Sequence, residues 1–491
     1  MNHIVVLVIL FPLLGCLLCP AISRLSVNAG KRIVMGCLFC SFVLCLIQLF
    51  IIISSNQSIS YWVGGWEPPV GIELVVDGVS GTIMVMVSLI SFLTSLYSSP
   101  FENPPSSEWL RSGGYYTMLG FLAIGLLGMC AAGDAFNLYV FMEITAISGY
   151  GLIAVGDGKG PIAAFRYLLM GTVGASMYLL GLGFLYAATG TLNMHDLTIR
   201  LETLQNSPLV ILSVACMIVG FGIKMALFPL HGWQPAAHSY AHPAADPMIA
   251  GVMIKVPAYA MLRFFFCIFD ENSRTMELFF DVIGVMAVCG VIFGSVKALR
   301  YSTYNKILAY SSIGQVGYIA MGFAIGNYYG LIGAILHIVN HAFMKAGLFY
   351  TSGALKYKYG IHETTDFGQI YRDMPVAGTT ITVCALSMIG IPPFAGFFSK
   401  WYLALGAVEN KQYGFVAVLI ISSLLGIIYF FRILEHLYMD KKTITIEDKK
   451  IPWQMIIPLA AVIIAVIGLG VGNSWIVNVA LKSTITEVFL S

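Results

Sequence analysis

Long apolar runs alternate with short polar segments fourteen times along the 491 residues. The runs fall near 4–22, 33–53, 79–98, 115–132, 135–155, 163–188 and 208–228. They continue near 245–266, 279–298, 307–325, 330–352, 376–401, 413–434 and 455–478. Each approaches or exceeds the ~20 apolar residues that carry a helix across a bilayer. The runs are continuously apolar rather than alternating, which excludes a transmembrane barrel. The pattern predicts an all-α polytopic membrane protein of about 14 transmembrane helices. The first run lacks a basic leader and a small-residue cleavage site, so it is expected to be retained as a helix.

Two runs are interrupted. The seventh leads into the stretch from Phe228 to Met248, where Pro229, Pro235, Pro243 and Pro247 alternate with His231, His238 and His242. The twelfth carries Gly390-Ile-Pro-Pro-Phe-Ala-Gly396 just ahead of Lys400. A proline inside a membrane helix removes a hydrogen bond, and the freed carbonyls must be satisfied by protein or water. Both breaks adjoin a lysine, Lys224 or Lys400, and they lie five spans apart. Two inverted five-helix repeats with broken helices 7 and 12 have this spacing. The implied division is 1–112 (helices 1–3), 113–270 (first repeat, helices 4–8), 271–440 (second repeat, helices 9–13) and 441–491 (helix 14).

Composition agrees: 58% of residues are hydrophobic and 10% charged, with a mean hydropathy of +0.85. A soluble domain has about 25% charged residues. The net charge of +2 gives no electrostatic footprint for nucleic acid. Seventeen of the 26 Lys+Arg fall in loops after odd-numbered spans, against four (Arg200, Arg274, Lys411, Lys482) on the opposite side. That bias places both termini on the outer face of a cytoplasmic membrane. The ten cysteines, including Cys16-x-x-Cys19 and Cys37-x-x-Cys40, sit mostly in apolar runs with no paired histidine at zinc spacing. They read as small packing residues.

The remaining charges fall inside the spans. An ionised Lys, Arg or Asp at mid-bilayer costs roughly 2.5–3.5 kcal/mol on insertion scales, so it is kept by pairing, water or function. Of the 24 acidic residues only Glu143 lies well within a span, whereas Lys224, Lys255 and Lys400 lie in three others. One carboxylate cannot neutralise three amines pairwise. His337, His341 and Lys345 recur at i, i+4 and i+8 on the eleventh helix, each step turning ~40° and rising ~6 Å. A stripe of titratable groups suits a proton relay. Arg263, near the end of its span, reads as a snorkelling anchor. His231, His238 and His242 admit two readings, a proton-uptake route from the cytoplasmic side or a zinc site. The second lacks an evident fourth ligand.

These residues resemble the antiporter-like subunits shared by respiratory complex I, membrane-bound hydrogenases and Mrp-type sodium/proton antiporters. The resemblance runs from IELVVDGVSG at residue 72 to the thirteenth span. It is carried by GDAFNLYVFMEI, by LAYSSIGQVGY at 308–318, by HxxxHAxxKA at 337–346 and by GIPPFAGFFSKW at 390–401. GDAFNLYVFMEI looks especially like the Mrp D-type and hydrogenase-type members.

The resemblance implies a role for each position. Glu143 would pair with Lys224, Lys255 would link two half-channels, His337, His341 and Lys345 would form the relay, and Lys400 would stand at the exit. It also implies partner membrane subunits, no redox cofactor in this subunit, and H⁺ as the moved ion, with Na⁺ an open alternative. The sequence departs from the family in three places. Trp233-Gln-Pro-Ala-Ala-His238 replaces W-L-P-D-A-H and loses its acid. Val256-Pro257 follows Lys255 in place of Val-Gly, which should distort the helix just past that lysine. The basic pair before LAYSS is reduced to Asn305-Lys306. No long extension follows the fourteenth span, so a version with a lateral connecting helix is not expected.

Three functions compete: a proton-translocating subunit of a larger complex, a stand-alone Na⁺/H⁺ or solute transporter, and a scaffold whose charges only pair. Sodium favours hard oxygen ligands, and one carboxylate among several amines suits proton transfer better.

Overall fold

A computed structural model describes residues 3–102, 113–156, 158–368, 370–440, 450–482 and 485. Of the basic residues that set the predicted orientation, Arg111, Lys441, Lys442 and Lys449 lie outside these. Two helices, α1 (Ile4–Ser23) and α2 (Val27–Ser55), come first. An antiparallel hairpin follows, β1 (Ile59–Trp62) with β2 (Glu73–Val76), in register Ile59 to Val76. Then come α3 (Gly78–Ser98), α4 (Gly114–Ala131), α5 (Ala135–Ala154) and α6 (Gly160–Thr189). Short α7 (Met194–Leu201) precedes α8 (Pro208–Lys224) and α9 (Gln234–Tyr240). The chain continues through α10 (Asp246–Ile268), α11 (Arg274–Leu299), α12 (Tyr304–Ile325) and α13 (Tyr328–Tyr359). It closes with α14 (Pro375–Ile389), α15 (Ala395–Glu409), α16 (Tyr413–Met439) and α17 (Trp453–Val471).

Among the described residues twelve helices are long and apolar enough to span a membrane, and α8 and α14 are shorter apolar helices. These last two open the interrupted segments, α8 with α9 and α14 with α15. The chain is thus a multi-pass, mostly helical membrane protein, as the runs predict, with one short hairpin that they do not.

Local chemistry explains the helix ends. Asp77 caps α3 by accepting from Ser80 N at 2.8 Å, while Ser80 Oγ accepts from Asp77 N at 2.7 Å. That reciprocal pair satisfies two of the otherwise orphaned N–H groups. Asp134 does the same for Asn137 N at the start of α5, and Asn327 for Gly330 N at the start of α13. At the end of α14, Gly390 takes φ 96°, a conformation costly for any residue with a Cβ. A Cβ there would also lie 3.1 Å from Lys400 Cδ.

The layering sets up the site. α3, α10, α12 and α13 form the interior, with α13 buried along its whole apolar window. α1, α2, α6, α16 and α17 present apolar side chains outward, such as Phe39, Phe50, Phe165, Leu169, Ile420 and Phe431. Six of the ten cysteines are buried, and Cys40 and Cys289 are exposed.

The expectation for the eighth span needs correcting. The irregularity lies before Lys255, in a wide π-type turn over Ile249–Met253, and regular helix runs from Lys255 to Ile268. The reason is the direction of proline's effect: its missing N–H and its ring disturb the carbonyl four residues earlier, here Met253.

Candidate functional site

The first interrupted segment positions the intramembrane carboxylate pair. α8 stops at Lys224, Ala226 takes φ 58°, and the chain reverses through Leu227 to Leu230 before α9. Carbonyls freed by the stop find new donors: Leu227 N bonds Gly222 O at 2.8 Å, and the Trp233 indole Nε1 bonds Ile223 O at 2.8 Å. Trp233 is held flat against Tyr167 at 3.9 Å between ring centres. With the backbone so satisfied, the Lys224 ammonium is left to the carboxylate. Its Nζ lies 2.8 Å from Glu143 Oε1. The Lys224 side chain is 2% exposed, but that of Glu143 is 27% exposed, on the outward face of α5 with Phe136, Val140 and Ile147.

Deeper in, Lys255 Nζ donates to Ala250 O, a carbonyl of the wide turn. Lys345 Nζ donates to Leu308 O and Ser311 Oγ, both at 2.6 Å. Lys255, Lys345 and His341 lie within electrostatic reach of one another. The His341 and His337 rings stack 5.7 Å apart, and His337 Nδ1 meets Ser399 Oγ at 2.9 Å. Neither His341 ring nitrogen, nor His337 Nε2, nor Gln315 Oε1 has a protein partner, though all are buried. Buried polar atoms of this kind are what internal water satisfies.

The second interrupted segment ends the row. Lys400 Nζ donates to Met388 O at 3.0 Å, to Ile389 O at 2.9 Å and to Ser423 Oγ at 3.2 Å. It also sits 5.0 Å above the Tyr318 ring, whose hydroxyl meets Ser422 Oγ at 2.6 Å. The predicted residues Lys255, His337, His341 and Lys345 thus form one buried row that ends at the half-buried Lys400. Glu143 with Lys224 stands beyond it, and no hydrogen bond or ion pair joins Lys224 to Lys255.

The loop histidines do not act as a set. His231 stacks on Phe228 at 5.3 Å, with Nδ1 buried and unpartnered. His242 Nδ1 accepts from Ala244 N at 3.3 Å. His238 is buried and hydrogen-bonded, Nδ1 to Asp246 Oδ1 at 2.8 Å. No group of three or more His, Cys, Asp or Glu side chains converges as a metal site among the described residues.

Two acids escaped sequence reasoning. Asp246, which lies among prolines at the very start of the run 245–266, is buried at the head of α10 and lines a cavity of about 530 Å³ with Lys159, Asn305, Lys306, Ser352 and Lys356. Asp77 holds Arg263: Nη1 lies 2.9 Å from Asp77 Oδ2 and 2.7 Å from Tyr259 Oη. Arg263 is therefore a buried pair between α10 and α3 and not a snorkelling anchor. Its partner is 186 residues away, and only Asp77's position beside an apolar run hints at it.

Residues 132–426 match the family described as NADH:quinone oxidoreductase/Mrp antiporter, transmembrane. NADH-quinone oxidoreductase subunit N of Desulforudis audaxviator is 39% identical over 489 residues, covering 97% of either chain. A Staphylococcus aureus protein named as antiporter subunit mnhD2 is 29% identical, covering 99% of this chain and 96% of its own. Among solved structures, a chain of the archaeal membrane-bound sulfane sulfur reductase superposes with a TM-score of 0.92 at 28% identity, over 99% of this chain and 98% of that one. A chain of the Mrp complex from Dietzia sp. DQ12-45-1b has the same fold, with a TM-score of 0.88 at 22% identity over 100% and 97%.

Proposed function

Because the chain belongs to the NADH:quinone oxidoreductase/Mrp antiporter transmembrane family, we propose that it is a proton-translocating subunit of a larger ion-pumping membrane complex. The observation that carries this is the buried row from Lys255 through Lys345, His341 and His337 to Lys400, with Glu143–Lys224 beyond it. Buried amines and imidazoles held by carbonyls and hydroxyls, with ring nitrogens left without a protein partner, can pass a proton on without crossing lipid. The proposed frame is fourteen spans in two inverted repeats, 113–270 and 271–440, flanked by 1–112 and 441–491. Both termini face outward across the cytoplasmic membrane. The half-exposed Glu143 carboxylate and the apolar faces of α6 and α16 fit a chain covered by neighbouring subunits.

Proton uptake is assigned to the basic-face cavity whose inner wall is Asp246. A proton reaching Asp246–His238 stands next to Phe349, 5.2 Å from the His238 ring and one helical turn from Lys345. His242 adjoins Pro243 of this cavity, and His231 lines the neighbouring one.

The test is coupled ion movement by the assembled complex in proteoliposomes. Glu143→Gln abolishes it while assembly persists; loss of assembly instead would make these charges structural. Asp246→Asn slows uptake without touching the Glu143 pair, and unchanged pumping would remove this route alone. Transport by the chain purified alone would overturn the complex-subunit reading in favour of a stand-alone transporter. Neighbouring hydrogenase or dehydrogenase genes would indicate a redox pump, and small Mrp-like genes an antiporter.

A further inference from the structure

A second cavity, about 320 Å³, lies beside the uptake cavity and is lined by α6, α9, α11 and α12. Three cations face it, Arg166, Lys297 and Lys306, and among the described residues its lining holds no Asp or Glu. None of the three makes an ion pair among the described residues. Lys297 and Lys306 stand over the rings of Phe293 and Tyr301, at 5.7 and 5.4 Å. His231, which also lines the cavity, has a buried Nδ1 without a protein partner. Three like charges around one small space repel one another unless an anion joins them.

The sequence explains how this imbalance arose. Ala236 is on the cavity wall, at the position where the W-L-P-D-A-H pattern carries its acid. The acid that pairs with His238 comes instead from Asp246, which lines the other cavity and not this one. His238 thus has a carboxylate beside it, and the three cations do not.

We propose that this cavity binds the phosphate of an anionic phospholipid headgroup, which replaces the missing carboxylate. A lipid source is favoured because the outward α6 residues Ile162, Phe165 and Leu169 flank Arg166 on the same helix and offer an acyl chain its surface. Basic pockets between transmembrane helices at a positively charged face suit such headgroups. The proposal concerns lipid recognition and does not depend on the ion that the chain moves.

The test is thermal stability and lipid retention of the full chain in dodecyl maltoside, titrated with phosphatidylglycerol, phosphatidylcholine or inorganic phosphate. Phosphatidylglycerol raises Tm and co-purifies in preference to phosphatidylcholine. Ala236→Asp, which restores an internal anion, removes that preference. Lys297→Gln with Lys306→Gln weakens binding roughly fivefold per removed cation, so the idea stays testable should Ala236→Asp misfold. An equal rise with inorganic phosphate alone would make this a free-anion site and overturn the lipid assignment. A phosphatidylglycerol preference that survives in both variants, or no preference in the unmodified chain, would overturn the site.

Discussion

The two interrupted segments face the same problem and solve it differently. Each helix stops in mid-protein beside a lysine and leaves carbonyls without their usual donors. At the first break the Trp233 indole and Leu227 N take the carbonyls of Ile223 and Gly222, so Lys224 can bind Glu143. At the second no indole intervenes, and Lys400 itself bonds Met388 O and Ile389 O at the negative end of α14. The first lysine has a partner that can gain or lose a proton. The second has only backbone and hydroxyl dipoles and the face of the Tyr318 ring. One break therefore holds a lysine against a carboxylate, and the other holds a lysine amine with no carboxylate hydrogen-bonded to it.

That contrast can be broken most severely at Lys400. Lys400→Ala loses coupled ion movement and also leaves two buried carbonyls unpaired, at about 1–3 kcal/mol for an unsatisfied group. Transport assays and a lowered Tm of the complex should appear together. Glu143→Gln separates the two effects: coupled movement is abolished, while Tm changes little because the amide oxygen still accepts from Lys224. A large Tm loss there would mean that the first pair is as structural as the second. Trp233→Phe keeps the stack on Tyr167 but removes the Ile223 donor. It should cost about 1 kcal/mol, near the upper range for hydrogen bonds inside membranes, with transport largely kept. Ser423→Ala removes only the longest of the Lys400 contacts, and a change of a few tenths of a kcal/mol in the same melting measurement is expected.

How much of this was legible in the sequence depends on how far apart the causes lie. Span positions follow from uninterrupted apolar length, and the breaks from Pro229 and from Pro392 and Pro393, all local signals. Glu143 and the lysines stand out because charge is costly in an apolar run. The Arg263–Asp77 pair needed two helices brought together from distant sequence, so Arg263 alone looked like an interfacial residue. Asp246 was hidden by its place: at the edge of the run 245–266, beside Pro247, an acid reads as a span boundary and gives no sign of its pairing with His238. Proline 257 was visible, yet its effect ran backward along the helix into the turn that supplies Ala250 O to Lys255.

Separation along the chain also has a meaning in time. Lys224 follows Glu143 by 81 residues, and at about 5–20 residues per second the carboxyl group exists for about 4–16 s before its lysine is made. Through that interval it must do without its lysine, in water or sheltered by the insertion machinery. Lys400 follows the Met388 carbonyl by only 12 residues, a delay of about 0.6–2.4 s. The second break can be completed almost as it emerges, whereas the first charge pair comes into being only when a later helix arrives.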